Sequence, residues 1–474
     1  MILLFYIILL VLTDKFDRLQ AFKTENNDII LGNQIFRDNN YDLLNDKDRV
    51  AILTNPTGIF NDNLEHIVDT MHQESTFNNH NNNNTFVIVA ILSPEHGFRG
   101  AKQAETGDTF YIDEYTHLPV FSAYEMSNNE ISQLMKKLNV NKVIVDMADA
   151  GVRLYTFIWT MYKTMESTIE QDIQYIILDR PNPLGGVLID GPMLNVSCCE
   201  SGYARVPMPH IHGMTIGELG NYFYSIFIKE NKERNILIQV EVVKMKGWFR
   251  RITVADWSNH NLLFVPPSPN LPTIESIFAY PSTVFVEATT VSEGRGTTLP
   301  FALIGAPFYQ HAYRKLAHAL QQCDSSSSNN NNNNNDDESF AFASMRPTIF
   351  QPTYQKYNFT SCYGVQWMLE RSPLMNHAYS SSSSLSSSSS INSPFEVGIC
   401  YIIAFKDLAM PLSSFQFDGS WFGHPGTELF DDYTGDVQVR LDIEKGLSAH
   451  QIAMKYKIDG KEWQRIRQPF LLYN

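Results

Sequence analysis

Phe86-Val87-Ile88-Val89-Ala90-Ile91-Leu92 runs directly into Ser93-Pro94-Glu95-His96-Gly97-Phe98-Arg99-Gly100. An unbroken apolar run that stops in Pro, Gly and charge predicts a strand buried on both faces, ending in a polar turn. Other stretches share this form. Val50–Leu53 leads to Thr54-Asn55-Pro56-Thr57-Gly58, and Val143–Val145 leads to Asp146-Met147-Ala148-Asp149-Ala150-Gly151. Tyr175–Leu178 leads to Asp179-Arg180-Pro181-Asn182-Pro183. Segments with helical spacing lie between them. Ile131, Leu134, Met135 and Leu138 sit at i, i+3, i+4 and i+7, and Tyr155, Ile158, Trp159 and Tyr162 repeat the pattern. Ile216, Leu219, Phe223, Ile226 and Phe227 follow, with Thr215 and Glu218 spaced as a capping box. Alternating strands and helices predict an α/β domain over residues 45–280, Rossmann-like and doubly wound around a mostly parallel sheet. No G-x-G-x-x-G follows any strand, so a dinucleotide has no support and no cofactor is expected.

Residues 281–474 read as a smaller α+β domain, with strand-like runs at Val397–Phe405, Phe415–Phe417 and Val437–Leu441. Low-complexity tracts at Asn78–Asn84, Ser325–Asn335 and Ser380–Ser390 read as surface insertions, because they hold too little apolar surface to order themselves. A length of 474 residues fits two domains better than one core. Asp and Glu number 51 against 36 Lys and Arg, a formal charge of −15 without a basic cluster, which argues against nucleic acid as a partner.

The apolar run at residues 2–12 would span only about 16 Å as a helix, against roughly 30 Å of hydrocarbon. A signal peptide over residues 1–21, cleaved near Ala21, suits it better than an uncleaved anchor or a buried element, and no stable membrane association is expected. Asn83-Asn84-Thr85, Asn195-Val196-Ser197 and Asn358-Phe359-Thr360 are glycosylation sequons that agree with a secreted or lysosomal protein. Cys198, Cys199, Cys323, Cys362 and Cys400 allow bridges in an oxidising compartment and leave at least one cysteine over. The adjacent pair lacks the CxxC spacing of a zinc site.

Ligands of open parallel sheets bind outside the carboxyl ends of the strands. That rule gathers Asn55, Glu95, His96, Asp146, Asp149, Arg153, Asp179, Arg180 and Asn182 on one rim. The octapeptide Ser93–Gly100 resembles the S-P-E-H-G-F-R-G signature of the exo-β-N-acetylmuramidases, a family of glycoside hydrolases. Asp149-Ala150-Gly151-Val152-Arg153-Leu154-Tyr155-Thr156 is similar to that family's D-x-G-x-R-x-Y-T. Leu178–Gly186, Gly191-Pro192 and His212–Leu219 resemble further blocks, as do Ser268-Pro269-Asn270, Ser292–Thr297, Phe430-Asp431 and Phe470–Tyr473. The likeness runs in order over about residues 45–474 and is loosest at Glu287-Ala288-Thr289-Thr290.

The resemblance implies release of non-reducing-end β-1,4-linked N-acetylmuramic acid from peptidoglycan fragments. Such chemistry needs a proton donor for the leaving oxygen and help for an oxocarbenium-like transition state. Glu95 is the expected acid, its alternative being a carboxylate that holds its loop. His96 either orients Glu95 or the sugar, or is simply a bonded histidine. Asp149 and Glu293 are candidates for activating water. The competing readings are an ion pair with Arg153 for the first and a turn carboxylate for the second. The lactyl carboxylate of muramic acid calls for a bidentate donor, so Arg153 and Arg295 are candidates, unless both belong to an ion-pair network at the domain junction. Arg180 reads as structural, paired with Asp179 or with backbone, and Glu218 as a helix cap. Asn55, Tyr155, Asn182, His212 and Asn270 complete the expected substrate-binding set. His210 and His212, two apart, lack a nearby third ligand, so no metal is expected. Competing functions are a glucosamine-preferring or substrate-assisted glycosidase, a metal-dependent hydrolase, and a wall-fragment binder without catalysis. The low-complexity tracts suggest a eukaryotic host that digests bacteria.

Overall fold

The computed structural model describes residues 28–78, 86–100, 109–230, 235–325, 343–370 and 393–474. The expected signal peptide, the Asn83 sequon and nearly all of the low-complexity tracts lie outside the described residues.

The apolar runs do form strands buried on both faces: Val50, Ala51, Ile52 and Leu53 are each 0% exposed. A seven-stranded sheet contains β1 (Arg49–Thr54), β2 (Val87–Ser93), β3 (Phe110–Ile112), β4 (Pro119–Ser122), β5 (Lys142–Asp146), β6 (Gln174–Leu178) and β7 (Gln239–Val243). Its order is β3-β4-β2-β1-β5-β6-β7. Every pairing is parallel except that of β3 with β4. From β1 the chain winds first to β2 and later to β5 on the opposite side, so the winding reverses between β1 and β5. Thr54 pairs with Asp146 there, and a crevice opens beyond the two strand ends. The expected helices form at Asn128–Lys137, Thr156–Ser167 and Ile216–Glu230.

The second, smaller domain carries an antiparallel sheet of β8 (Leu303–Ala306), β10 (Cys362–Leu369) and β9 (Ala343–Phe350), in that order. Its helices Tyr313–Ser325 and Pro394–Leu408 are joined by a Cys323–Cys400 disulfide. Cys198 is bonded to Cys199, and Cys362 remains a buried free thiol. No helix among the described residues is long and apolar enough to cross a membrane.

The expected strands of this half are corrected. Val397–Phe405 lies inside the helix Pro394–Leu408, which is buried and therefore apolar around much of its circumference. Ser393 caps it by accepting from Glu396 N at 3.1 Å, and Pro394 sits where a helix tolerates it. Val437–Leu441 alternates like a strand, yet Asp436 accepts from Gln438 N at 3.0 Å and starts the helix Val437–Glu444. Phe415–Phe417 keeps a single bridge, Thr289 to Phe417.

Buried carboxylates tie the C-terminal tail to the first domain. Glu218 forms its capping box with Thr215 and also a bidentate pair with Arg250 at 2.8 and 2.9 Å. It also accepts from Leu472 N at 2.8 Å. Asp179, fully buried, accepts from Tyr473 Oη at 2.6 Å, Thr215 Oγ1 at 2.8 Å and Gly217 N at 2.8 Å. Burial pushes the Asp179 carboxyl up to about 6, against the pull of those donors. The folded chain thus keeps a proton that the unfolded chain releases near pH 4, so this group's contribution to stability falls as pH rises from about 4 to 6. Asp179→Asn should flatten that part of the pH dependence of the thermal midpoint; wild-type and variant profiles of equal slope would contradict this.

Candidate active site

Glu95 follows β2 by two residues, after Pro94. His96 and Gly97 then take φ of +71° and +77°, which turns the chain back and leaves the half-buried Glu95 carboxyl at the rim. Left-handed backbone at a non-glycine residue costs about 1–3 kcal/mol and persists only where its surroundings enforce it. Here Ser268 Oγ lies in hydrogen-bond contact with His96 Nε2 at 3.0 Å, and Phe157 meets the imidazole edge to face. Thr156, the first residue of its helix, donates to Glu95 Oε2 at 2.7 Å. The carboxylate therefore sits at the positive end of that helix.

Asp149 is 4% exposed. Its Oδ2 accepts from Gly151 N at 2.9 Å and lies 3.0 Å from His212 Nε2. His212 Nδ1 already accepts from Met214 N at 3.1 Å, so the ring proton lies on Nε2 and is donated to Asp149. Asp149 Oδ1 finds no partner among the described residues, nor does the buried Tyr155 hydroxyl. Gly151 has φ of +81°, and a Cβ there would come within 2.5 Å of Asn182 Oδ1. The Asp149 loop thus rests directly on the Asn182 turn. Asp149 also lines a cleft at the strand reversal, together with Thr57, Arg180, Trp257, Phe264 and Ile277.

The second domain brings Arg295 to the same place. Its guanidinium pairs with Glu287 at 2.6 Å and stands 3.6 Å from Glu293, with Phe301 and Phe422 rings over it. Burial opposes the Arg295 charge, but Glu287 and Glu293 together with the Glu95 field hold the guanidinium above its usual range. Arg295 Nη1 has no partner among the described residues. Burial also drives the Tyr155 and Tyr280 phenols well above theirs, and Glu95 and Asp149 act on both in the same direction. Glu95, Asp149, Arg295, Tyr155 and Tyr280 therefore share one electrostatic neighbourhood.

Other candidates are placed differently. Arg153, 0% exposed, pairs with no carboxylate among the described residues; it donates to the carbonyls of Pro192 and Met208 at 2.9 Å each and of Tyr433 at 3.1 Å. It is a strut, which corrects both its reading as a substrate arginine and the alternative ion pair with Asp149. Asn182 is committed at both ends, donating to Met214 O and accepting from Leu184 N, and His212 is buried behind Asp149, so neither is presented to substrate. Glu293 is 0% exposed and bonded to Lys356 at 3.0 Å, an ion-network carboxylate and not a water activator. Asn55 closes a turn by accepting from Thr57 N at 3.0 Å, and Asn270 lies next to the Ser268 that contacts His96. The Nδ2 of both is buried and lacks a partner among the described residues. Arg180 pairs with Asp146, not Asp179, and His210 bonds Pro281 O at 2.7 Å.

Glu287, Thr156, Ser268 and Tyr280 were missing from the expected set. For Glu287 a signal exists: it is the only charge in Ile277–Val291, and a charge inside such a run must be paired.

The N-terminal model of the exo-β-N-acetylmuramidase NamZ family matches residues 50–275, and the C-terminal model matches residues 278–473. The peptidoglycan β-N-acetylmuramidase NamZ of Bacillus subtilis (strain 168) is 35% identical over 430 residues, 90% of this chain and 87% of that one. Two DUF1343 family proteins of Bacteroides fragilis NCTC 9343 have similar crystal structures. One has a TM-score of 0.72 at 25% identity, the other 0.64 at 29%, and each comparison covers 94% of this chain and 99% of the other.

Arg153→Lys keeps the charge but cannot serve all those carbonyls. It should lower the unfolding free energy by about 2–4 kcal/mol, since each buried acceptor left unpaired costs about 1–3 kcal/mol. Urea denaturation reads this. An unchanged midpoint, with binding of a carboxylate-bearing saccharide weakened instead, would return Arg153 to the substrate-binding set.

Proposed function

The chain belongs to the exo-β-N-acetylmuramidase family, and from that membership we propose that it removes non-reducing-end β-1,4-linked N-acetylmuramic acid from peptidoglycan fragments. The observation that carries the reading is the meeting of Glu95 and Asp149 from the first domain with Arg295 from the second. A glycosidase needs an acid for the leaving oxygen and a second carboxylate near the anomeric carbon. Glu95 is the acid, held by the Thr156 hydroxyl on a loop that leaves a buried strand. Asp149 is the second carboxylate, because Glu293 is closed off by Lys356 and Arg295.

Arg295 reads the lactyl carboxylate through Nη1. Glu287 holds the Nε and Nη2 edge of its guanidinium, which leaves Nη1 as the donor for a second carboxylate. A glucosamine residue lacks this group and leaves that N–H without a partner, so the site discriminates against it.

The protein acts outside the cytosol, in lysosomes or after secretion, digesting bacterial walls in a eukaryotic host. The Cys323–Cys400 disulfide and the exposed sequons at Asn195 and Asn358 support export. Recovery of the protein in the cytosolic fraction alone would remove this part of the proposal.

Incubation with a muramic–glucosamine disaccharide should release free N-acetylmuramic acid; an intact disaccharide would refute the activity. Glu95→Gln should fold normally and lose at least about 10²-fold in kcat on that substrate, the lower range for general acid catalysis. An aryl glycoside whose leaving group needs no proton should suffer far less. Equal losses on both would make Glu95 a nucleophile, base or binding group.

A further inference from the structure

The segment after β5 carries an acceptor and a donor that find no partner among the described residues. Asp149 Oδ1 and Tyr155 Oη are both buried, and neither has a hydrogen-bond partner among the described residues. Leaving such atoms unpaired costs about 1–3 kcal/mol each, so a fold retains them where a ligand completes them. They lie on one segment, separated by the turn through Gly151 and the anchored Arg153. The next residue, Thr156, holds the Glu95 carboxylate. Asp149 also lines a cleft whose lining includes the apolar Trp257, Phe264 and Ile277.

A carboxylate oxygen that can only accept, a phenol that can donate, and apolar lining residues are together complementary to a secondary acetamide. Its N–H suits Asp149, its C=O suits Tyr155 and its methyl suits the apolar lining. The muramic residue carries one such group, on C2 beside the anomeric carbon that is cleaved. Resting on the muramidase reading, we propose that Asp149 and Tyr155 grip the 2-acetamido group and that this group, not a protein carboxylate, is the nucleophile.

In the first step the acetamido carbonyl oxygen forms a bond to C1 as the C1–O bond to the leaving sugar breaks. Glu95 gives its proton to the departing oxygen. The resulting oxazolinium carries its positive charge on the N–H that Asp149 accepts, so the charge pairs with a carboxylate already oriented by His212 and Gly151. In the second step water adds to C1 and gives a proton to the Glu95 carboxylate, and the C1–O bond to the acetamide breaks. The acetamide and the acid are both restored. Two displacements at C1 retain the β configuration.

The test uses the intact protein and aryl β-muramosides whose 2-acylamino group is acetyl, fluoroacetyl, difluoroacetyl or trifluoroacetyl. Fluorine weakens the carbonyl oxygen as a nucleophile, so kcat/KM should fall steadily, by about 10²-fold or more across the series, as expected when an intramolecular group supplies the attack. Proton NMR of early product should show the β anomer first. A flat series, or the α anomer first, would overturn the proposal while leaving the muramidase reading intact. No turnover of any member would overturn both.

Tyr155→Phe removes an atom with no protein partner, so folding should be unaffected. It should lower kcat about 10-fold or more on the acetyl substrate and by clearly less on the trifluoroacetyl one, whose carbonyl is the weaker acceptor for the lost phenol. Equal losses on both substrates would show Tyr155 to be structural and would remove it from the grip.

Discussion

The site depends on one buried guanidinium. Arg153 has no carboxylate partner among the described residues, and it persists in the interior because backbone carbonyls surround it. Two of them belong to the loops after β6, and the third, Tyr433 O, belongs to the second domain. Its own main chain is held as firmly: the amide donates to His210 O at 2.8 Å, and the carbonyl accepts from Trp159 Nε1 at 2.6 Å. A residue fixed at both main-chain groups and at the tip of its side chain cannot drift. Arg153 lies between Asp149 and Tyr155, so its anchoring fixes the segment from which the catalytic rim is built. Carbonyl dipoles spread over several loops stabilise the charge less than a carboxylate would, but they bind those loops together.

The sheet was legible in the sequence because burial on both faces leaves a plain mark. No polar residue interrupts Ile88–Leu92 or Val143–Val145, and both became strands next to or near the reversal of winding. The rule that ligands gather at strand ends then located Glu95 and Asp149 without further help. The same mark misled in the second half. A fully buried helix is also apolar throughout, so Val397–Phe405 could be told from a strand only by its length and by Ser393-Pro394 at its start. Val437–Leu441 shows the reverse difficulty, an alternating pattern overruled by the Asp436 cap.

Side-chain direction was the least legible property. Arginines in polar loops look alike in sequence, yet Arg153 points at carbonyls, Arg180 at Asp146 and Arg295 at the shared site. Each outcome depends on which distant element arrives opposite, and spacing along the chain holds no record of that. Pairing rules do better where charge is scarce. Glu287 stands alone in its apolar run, and the structure gives it Arg295 and the Tyr433 hydroxyl.

The charges of the second domain form a compensated set, in which Glu287 and Glu293 balance Arg295 and Lys356. Compensation lets Arg295 stay ionised in the interior, with Nη1 lacking a partner among the described residues. The first domain works differently. Thr156, next to Tyr155, holds Glu95 from the first turn of its helix, and His212 holds Asp149. Because Asp149, Arg153, Tyr155 and Thr156 share one short segment, a disturbance at the strut reaches the carboxylate, the phenol and the holder of the acid at once. Substitutions within this segment should therefore be strongly non-additive, and one at Arg295 should couple to a strut defect as well, because Tyr433 takes Arg153 at its carbonyl and Glu287 at its hydroxyl. Catalytic geometry and the joint between the domains are thus set by the same few residues.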